Sequence, residues 1–442
     1  MEYAYLKQIE SNARTYASIF NRVFSTGRGI RIQDSEGNEF IDCLANAGAL
    51  PLGHNHPEVK EAVMQFVSSD SIQQALDLAT PAKVEFVKTL FSRLPADLRD
   101  NGRIQFCGPS GSDAVEAAIK LAKLCTQRSK VIAFHGAYHG MTAGALGVMG
   151  NLLPKSGTGV DAGGVHFAPY PYKFRCPFGT DGSQTDQLSI NYIRTLLSDP
   201  ESGIPKPAAM IVEVVQGEGG SIPASAHWLQ ALRALTIEFD ILLIIDEVQT
   251  GLGRTGRLFA IEHAGITPDI LVLSKAIGGG YPISVIIYDK RFDIWPPGMH
   301  AGTFRGNQIA MIAGSTTMRL IERDNLIENT IAMGNLLRDG LLEIAARFSV
   351  LGDVRGRGLM IGVEVVKPSP SEKPGATDGE LAKLIKLNCF KNGLIIETGG
   401  RNGCVLRFLP PLIANEADIG EILDKFEQAV AVALRNPKEQ NL

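Results

Sequence analysis

Between about residues 103 and 287, the chain carries short apolar runs that are continuous rather than alternating. Strands covered on both faces have this pattern, because neither side of the strand meets water. Stretches with helical periodicity lie between the runs, as at 112–124 and 228–239. The alternation predicts an α/β domain with a mostly parallel sheet. The predicted strands are Val131–Phe134, 208–215, 241–245, Ile270–Leu273 and 284–288.

The pattern after residue 325 predicts a smaller α+β domain. Helical and strand-like stretches alternate there, and Gly393 is predicted to end a helix. A hairpin is predicted around 34–38 and is expected to pack near this part of the chain. The predicted elements are helices over 326–348 and Gly379–Lys391 and strands over 355–366 and 405–409. The predicted division is 1–56 as part of the small domain, 57–325 as the large domain and 326–442 as the rest of the small domain.

The composition limits the classes of molecule that the protein is expected to bind. Apolar residues make up 45% of the 442 residues, enough for a large core, and the formal net charge is -4. A nucleic-acid binder is expected to carry a basic excess, so this balance argues against one. No apolar run approaches the roughly 20 residues that span a bilayer, and no secretory signal is visible. We therefore expect a cytoplasmic enzyme that binds neither membrane nor nucleic acid.

The cysteine and histidine patterns predict no metal site. Six cysteines are scattered without CxxC spacing, which is typical of reduced and mostly buried thiols. The histidines show no H-E-x-x-H spacing. The block from His54 to Pro57 is interpreted as a capped turn before a helix, because proline favours the first helical position.

Two acids follow a predicted buried strand. The apolar run 241–245 leads directly into Asp246 and Glu247. Ligands bind at this carboxyl edge in open α/β sheets. A magnesium-binding acid pair of a nucleotide hydrolase is one interpretation, but the chain lacks the phosphate-binding G-x-x-x-x-G-K-[ST] sequence that it requires.

The glycines from Gly251 to Gly256 form a literal G-x-G-x-x-G sequence, which makes a nicotinamide dehydrogenase a competing hypothesis. The first glycine of a dinucleotide site follows its strand directly, whereas Asp246 to Thr250 intervene here. The two acids would also repel a pyrophosphate. A tight loop of another kind is the simpler interpretation.

Two further motifs are suited to an anionic cofactor with a reactive carbonyl. Ser110, Gly111 and Ser112 open a predicted helix, whose free N–H groups and positive dipole end favour phosphate, although a plain helix cap has the same sequence. Lys275 follows the buried strand Ile270–Leu273 and precedes three glycines. Burial there would lower the pKa of the amine and favour Schiff-base chemistry.

Together, the phosphate cradle, the aspartate and the lysine match the requirements of pyridoxal phosphate. Asp246 would keep the pyridine nitrogen protonated, so that the ring withdraws electrons from the substrate. Lys275 would hold the cofactor covalently and then move the proton.

The order of these motifs resembles the class III aminotransferases of fold type I, over nearly the whole chain. The blocks 244–256 and around Lys275 are the most specific parts of the resemblance. It implies a large domain with a mostly parallel sheet, a smaller α+β domain built from both ends of the chain, and pyridoxal 5'-phosphate as cofactor. The other cofactor-binding positions that it implies are Ser110, Gly111 and Ser112 at the phosphate, Tyr138 stacked on the ring, Gln249 at the phenolic oxygen, and His139 and Glu213 beside them.

The resemblance also implies how substrates and subunits are arranged. Arg407 would bind the α-carboxylate of 2-oxoglutarate or glutamate, and Glu218 would mask it while the amino donor reacts. Thr303 would reach the phosphate in the neighbouring subunit, which implies a homodimer with shared active sites.

Met141 departs from part of this family. Members that use ornithine or γ-aminobutyrate carry arginine at this position, where it binds a substrate carboxylate. Methionine there resembles the members that move the terminal amino group between L-2,4-diaminobutyrate and 2-oxoglutarate, giving aspartate semialdehyde and glutamate. Another ω-aminotransferase and an aminomutase on the same fold remain alternatives, and a non-enzymatic cofactor-binding regulator is a more distant one.

Overall fold

The computed structural model describes residues 2–16, 19–160, 164–368 and 374–435. Strands and helices alternate along most of this length. The strands are β1 (Phe24–Arg28), β2 (Arg31–Asp34), β3 (Glu39–Asp42), β4 (Gly102–Cys107), β5 (Val131–Phe134), β6 (Val165–Ala168), β7 (Ala209–Glu213), β8 (Val215–Gln216), β9 (Ile222–Pro223), β10 (Leu242–Asp246), β11 (Ile270–Leu273), β12 (Ser284–Asp289), β13 (Leu351–Arg357), β14 (Met360–Val365), β15 (Leu394–Ile395), β16 (Glu397–Gly399) and β17 (Val405–Phe408). The helices are α1 (Glu2–Ile9), the distorted turn α2 (Ala45–Gly48), α3 (Pro57–Ser68), α4 (Pro81–Phe91), α5 (Ala96–Asn101), α6 (Gly111–Thr126), α7 (Ala143–Gly147), α8 (Thr185–Ser198), α9 (Ala226–Glu238), α10 (Gln308–Arg323), α11 (Leu326–Arg347), α12 (Gly379–Lys391) and α13 (Glu416–Arg435).

A large central sheet has the strand order β4-β12-β11-β10-β7-β5-β6. The pairs from β11 to β6 are parallel, and β12 is antiparallel to both of its neighbours. All residues of β5, β7, β10 and β11 are buried, because helices such as α6 and α9 pack on the sheet. The predicted α/β fold with a mostly parallel sheet is confirmed.

Strand ends determine which side chains reach the edge of this sheet. The predicted strand 208–215 is one residue too early at its start and merges two elements, since β7 ends at Glu213 and a separate hairpin of β8 and β9 follows. β10 includes Asp246, whose register partner on β7 is Glu213. The carboxyl groups of Asp246 and Glu213 therefore lie side by side at the ends of adjacent parallel strands.

Two smaller sheets have four strands each, and one of them combines strands from both ends of the chain. One has the order β1-β2-β3-β15, in which β15 lies parallel to β3, and the other has the order β13-β14-β17-β16. The hairpin predicted around 34–38 joins β2 to β3. This pairing supports a small domain assembled from 1–56 and 326–442, of which 436–442 lie outside the described residues; its bounds stay a prediction.

A second predicted strand also merges two elements. Residues 355–366 do not form a single strand, because the chain reverses between β13 and β14, which pair antiparallel. Gly358 has φ +54, a conformation that favours glycine, and the backbone N–H of Leu359 then donates to the Arg254 carbonyl at 3.1 Å. The sequence pattern does not predict the turn, because the residues on both sides of this glycine have a strand-like composition.

All six cysteines are free, and four of them are buried. In the described ranges, no helix combines the length and apolarity needed to cross a bilayer.

Candidate active site

A cavity of about 1330 Å³ lies at the carboxyl edge of the central sheet, where β7, β10 and β11 end. The end of β16 and the loop that follows it, residues 398–403, form part of the cavity wall, so that both sheets contribute to it. The sequence-predicted residues that line the cavity are Ser110, Gly111, Ser112, Tyr138, His139, Met141, Glu213, Glu218, Asp246, Gln249 and Lys275.

Two predicted site residues do not line this cavity. Arg407 is buried, with 1% of its surface exposed, and contacts the cavity-lining residues Glu218 and Gln249. Thr303 is exposed on a turn before α10. Within one chain, the structure does not bring Thr303 to the other predicted site residues.

Lys275 follows β11 and has a left-handed backbone, with φ +49. This conformation is strained for a residue with a side chain. The half-buried residue lines the cavity, and among the described residues its amine makes no hydrogen bond or ion pair. Burial lowers the pKa of Lys275, although Glu218, Asp246 and Glu213 oppose the shift. The structure thus holds an unpaired amine beside carboxylates at a fixed point.

Asp246 and His139 form a buried pair at the cavity floor. His139 Nδ1 lies 2.7 Å from Asp246 Oδ2, and the Val248 N–H donates to Asp246 Oδ1 at 2.9 Å. Burial disfavours protonation of His139, but the hydrogen bond and charge of Asp246 raise its pKa overall. His139 Nε2 is buried without a partner among the described residues. The imidazole therefore orients Asp246 while its other nitrogen stays unsatisfied.

Glu213 supports the loop that carries Tyr138. One carboxylate oxygen accepts from the Tyr138 N–H at 3.0 Å and the other from the Gly217 N–H at 2.9 Å. Burial raises the pKa of Glu213 to about 7, although His139 opposes this shift. Glu213 thereby fixes the backbone of two cavity segments rather than presenting a free carboxylate.

The start of α6 is a compact cradle at the cavity. Ser110 caps the helix, with its side chain accepting from the Ser112 N–H at 3.3 Å, and the Ser112 hydroxyl accepts from the Met141 N–H at 3.2 Å. Gly140 has φ +125, and a Cβ there would overlap the Ser112 hydroxyl. A Cβ at Gly111 would lie 2.9 Å from the Val248 side chain. The glycines keep room for backbone N–H groups at the helix end, where anions bind.

Arg407 binds two predicted site residues at once. Its guanidinium donates to Glu218 at 2.5 Å and to the Gln249 side-chain oxygen at 2.7 Å, while the Gln249 side-chain nitrogen donates to the Ala47 carbonyl at 3.1 Å. Burial opposes ionisation of Glu218, but the adjacent Arg407 lowers its pKa. In this arrangement Glu218 covers the arginine on the cavity side.

The G-x-G-x-x-G loop does not belong to the cavity wall. Arg254, inside this loop, donates to the carbonyls of Leu359 and Pro410 in the C-terminal part of the chain. A Cβ at Gly253 would lie 2.8 Å from Leu412. The loop joins the two parts of the molecule, in agreement with its interpretation as a tight loop.

Sequence reasoning missed several cavity residues with ionisable side chains, among them Tyr16 and Arg401. Burial, followed by the charge of Glu218, raises the pKa of Tyr16 to about 12. Arg401 belongs to the loop between β16 and β17. Both come from segments distant in sequence from the motif-bearing strands, and no local pattern marks them.

Comparison with known proteins identifies the family. The family model described as aminotransferase class-III matches residues 12–430. A diaminobutyrate–2-oxoglutarate aminotransferase of Rhizobium meliloti is 52% identical over 93% of this chain and 88% of its own length. An enzyme of the same name from Haemophilus influenzae is 45% identical over 97% of this chain and 94% of its own.

Solved structures show the same fold. An (S)-enantioselective omega-transaminase from Thermomicrobium roseum has a TM-score of 0.87 and 26% identity, with 98% of each chain covered. A PLP-bound amine transaminase from an uncultivated Pseudomonas species has a TM-score of 0.84 and 26% identity, over 96% of this chain and 98% of its own. The chain belongs to the class III aminotransferase family of fold type I.

Proposed function

We propose that this protein transfers the terminal amino group of L-2,4-diaminobutyrate to 2-oxoglutarate. The products are L-aspartate 4-semialdehyde and L-glutamate, and the reaction is reversible and proceeds by a ping-pong mechanism. The names of the Rhizobium meliloti and Haemophilus influenzae relatives support the substrate pair. The observation that carries the chemistry is the unpaired amine of Lys275 in the same cavity as the Asp246–His139 pair.

Class III aminotransferases depend on pyridoxal 5'-phosphate, and the cavity fits this cofactor. The unsatisfied His139 Nε2, the free Lys275 amine and the glycine-lined helix start are sites that a polar, anionic molecule would satisfy. When bound, pyridoxal phosphate supplies a protonated pyridine ring that withdraws electrons from the carbon losing its proton.

The residues that line the cavity can each be assigned a contact with this cofactor. Lys275 would hold it covalently, and Asp246, oriented by His139, would pair with the ring nitrogen. The remaining proposed contacts are Ser110, Gly111 and Ser112 at the phosphate, Tyr138 on the ring face, Gln249 at the phenolic oxygen, and Glu213 as the support of the Tyr138 loop.

Lys275 is also the proposed proton carrier. Since burial lowers the pKa of its amine, a larger fraction is neutral near physiological pH and able to accept a proton. We assign it the transfer of the proton from the terminal carbon of the amino donor.

Glu218 and Arg407 are the proposed switch between the two substrates. The carbon that reacts in diaminobutyrate carries no carboxylate, so Arg407 can stay paired with Glu218 in that half-reaction. The α-carboxylate of 2-oxoglutarate or glutamate would replace Glu218 on the guanidinium, which binds carboxylates in a bidentate manner.

The proposed assembly is a homodimer in which Thr303 enters the neighbouring active site. Phe304 beside it is 64% exposed, and Leu76, whose carbonyl oxygen lies 3.9 Å from where a Cβ at Gly306 would be, is 55% exposed. Exposed apolar groups of this size often mark a protein interface. Free cysteines support a reducing compartment, and we place the protein in the cytoplasm.

A donor panel tests the proposed reaction. With 2-oxoglutarate as acceptor, L-2,4-diaminobutyrate should form glutamate faster, per unit concentration, than ornithine, γ-aminobutyrate, lysine or taurine. Lys275→Ala should form none with any donor. A better donor elsewhere in the panel would assign a different ω-aminotransferase, and isomerisation of a donor without 2-oxoglutarate would indicate an aminomutase.

A further inference from the structure

Arg401 is a cationic residue that lines the cavity, as Lys275 and Lys155 do, whereas Arg407 lies behind Glu218. It lies on a turn of one 3-10 helix (Arg401–Gly403) between β16 and β17 and reaches across to the large central sheet. Its guanidinium donates to the Gly219 carbonyl at 3.1 Å and to the His135 carbonyl at 3.3 Å. The half-buried side chain is thus held between the Glu218 segment and the loop that leads to Tyr138.

The residues around Arg401 hold its guanidinium against the wall of the cavity. It lies over the ring of Tyr172, with 5.2 Å from the guanidinium carbon to the ring centroid. Gly136 has φ +80, and a Cβ at this position would overlap the guanidinium. A glycine is therefore required for this close approach, and the cation has one defined position.

Arg401 has no acid partner among the described residues, unlike the arginines around it. Arg407 is paired with Glu218, and Arg355 is paired with Asp353. Arginine carries five N–H groups in a planar fork and stays protonated. The two carbonyls use two of the five on Arg401, which leaves N–H groups and a full positive charge for an anion.

The amino donor supplies such an anion. In the proposed reaction the terminal amine reacts at Lys275, and the α-carboxylate of diaminobutyrate lies at the other end of the molecule. Arg407 is occupied by Glu218 in this half-reaction, and Met141 carries no charge. We propose that Arg401 binds the α-carboxylate of the amino donor and so selects diamino acids over simple diamines; this inference rests on the proposed function.

The matched ligands are L-2,4-diaminobutyrate and 1,3-diaminopropane, which is the same diamine without the carboxylate. Arg401→Gln keeps a side-chain N–H donor but removes the charge. It should lower the single-turnover kcat/KM for diaminobutyrate by roughly 10- to 100-fold, as expected for loss of a charged hydrogen bond. The rate with 1,3-diaminopropane should stay within about twofold, because that ligand has no carboxylate to lose.

A binding measurement separates recognition from activity. L-Homoserine has a hydroxyl in place of the reacting amine and keeps the α-carboxylate. Its calorimetric dissociation constant should rise in Arg401→Gln by about the same factor as kcat/KM falls for diaminobutyrate. Melting temperature and cofactor absorbance are recorded for each variant. Arg401→Lys, which keeps the charge, should show the same selective loss to a smaller degree and serves if the glutamine variant folds poorly.

Lys155 provides the control variant. It is another cavity-lining cation, bound to the Gly147 carbonyl at 3.1 Å and lying over the Phe167 ring. Lys155→Gln should leave the preference for diaminobutyrate over diaminopropane within about twofold if Arg401 binds the carboxylate.

Three results would overturn the assignment of Arg401: equal losses for both diamines, unchanged homoserine binding, or loss of the preference in Lys155→Gln instead. Wild-type protein that fails to use diaminobutyrate would refute the proposed function. Wild-type protein that uses diaminobutyrate no better than Arg401→Gln refutes only the assignment of Arg401.

Discussion

At the scale of single residues, each charged side chain of the site is either paired with an oppositely charged group or faces the cavity. Asp246 is paired with His139, and Glu218 with Arg407. Lys275 and Arg401 face the cavity without an acid partner among the described residues. A buried charge is costly unless it is paired, and we infer that bound molecules supply the missing interactions at Lys275 and Arg401.

Arg407→Ala should damage one half-reaction more than the other. We expect roughly 100-fold lower kcat/KM with 2-oxoglutarate, because a bidentate carboxylate contact is lost. The diaminobutyrate half-reaction should fall by less than about tenfold, since Arg407 is covered by Glu218 in that step. Single-turnover absorbance of the cofactor with each substrate measures both values.

Glu218→Gln is the matched variant for this prediction. It removes the counter-charge and leaves Arg407 in place, so 2-oxoglutarate should still react. Equal damage to both half-reactions in Arg407→Ala would reject the switch.

The residues that could be predicted from the sequence are those whose role depends on local position. Asp246 ends a buried strand, Lys275 follows another, and Ser110 caps a helix, and each position is visible in a few neighbouring letters. Tyr16 and Arg401 could not be predicted, because each reaches the cavity only through contacts with segments far away in the chain.

At the scale of secondary structure, continuous apolar runs gave reliable strands, whereas the β13–β14 turn was missed. Its reversal depends on Gly358, which lies close to the loop around Arg254. An apolar pattern reports burial, but it does not report where a buried chain turns. The same limit explains why 208–215 was predicted as one strand although Glu213 ends β7.

Gly358→Ala should destabilise the protein more than Gly37→Ala does. Both glycines have positive φ, at +54 and +87. A Cβ at Gly358 would lie 2.6 Å from the Thr255 backbone, whereas a Cβ at Gly37 meets nothing within 4 Å. We expect about 1 kcal/mol for Gly37→Ala from backbone strain and at least about 2 kcal/mol for Gly358→Ala from strain plus overlap.

Urea unfolding of the two alanine variants measures the difference. Equal losses of stability would show that the approach of the β13–β14 turn to the Thr255 loop contributes nothing beyond the turn conformation itself.

Glu247 links β10 to the 3-10 helix Ala260–His263 and should make stability depend on pH. It is 1% exposed and accepts from the N–H groups of Ala260 and Ile261 at 2.7 and 2.9 Å. Burial raises its pKa from 4.5 to about 7, although the two N–H groups oppose the shift. Between pH about 4.5 and about 7, the folded protein therefore holds a proton that the unfolded chain has released. This contribution to stability is highest below pH about 4.5 and falls as the pH rises through this window, and the loss is complete above pH about 7.

The glutamine variant lacks this titration. Between pH 5 and 8, the unfolding free energy of the wild type should fall by about 2 to 3 kcal/mol relative to Glu247→Gln. Urea midpoints of both proteins at the two pH values test this. Parallel pH profiles would contradict the assignment of the raised pKa to Glu247.

At the scale of the whole molecule, one chain holds nearly all of the proposed site, and Thr303 lies outside the cavity. A mixed dimer of Lys275→Ala and Thr303→Ala chains distinguishes the two possible arrangements. If Thr303 acts across the interface, one of the two sites contains both native residues. If it acts within its own chain, neither site does.

Cofactor affinity is the measurement for this mixed dimer. Titration with pyridoxal phosphate should show about half of the sites with wild-type affinity and the visible absorbance of a lysine-bound cofactor. Purified mixed dimers without any such sites would place Thr303 outside the neighbouring active site.

The central claim is that Lys275 holds pyridoxal phosphate and exchanges it with the terminal amine of diaminobutyrate. The most direct measurement is a spectral titration of the cofactor-loaded protein with L-2,4-diaminobutyrate and then with 2-oxoglutarate. We predict that the diamine bleaches the visible band, that 2-oxoglutarate restores it, and that ornithine and γ-aminobutyrate have little effect. Bleaching by another amine in preference would contradict the substrate assignment, and a loaded protein without the band would contradict the role of Lys275.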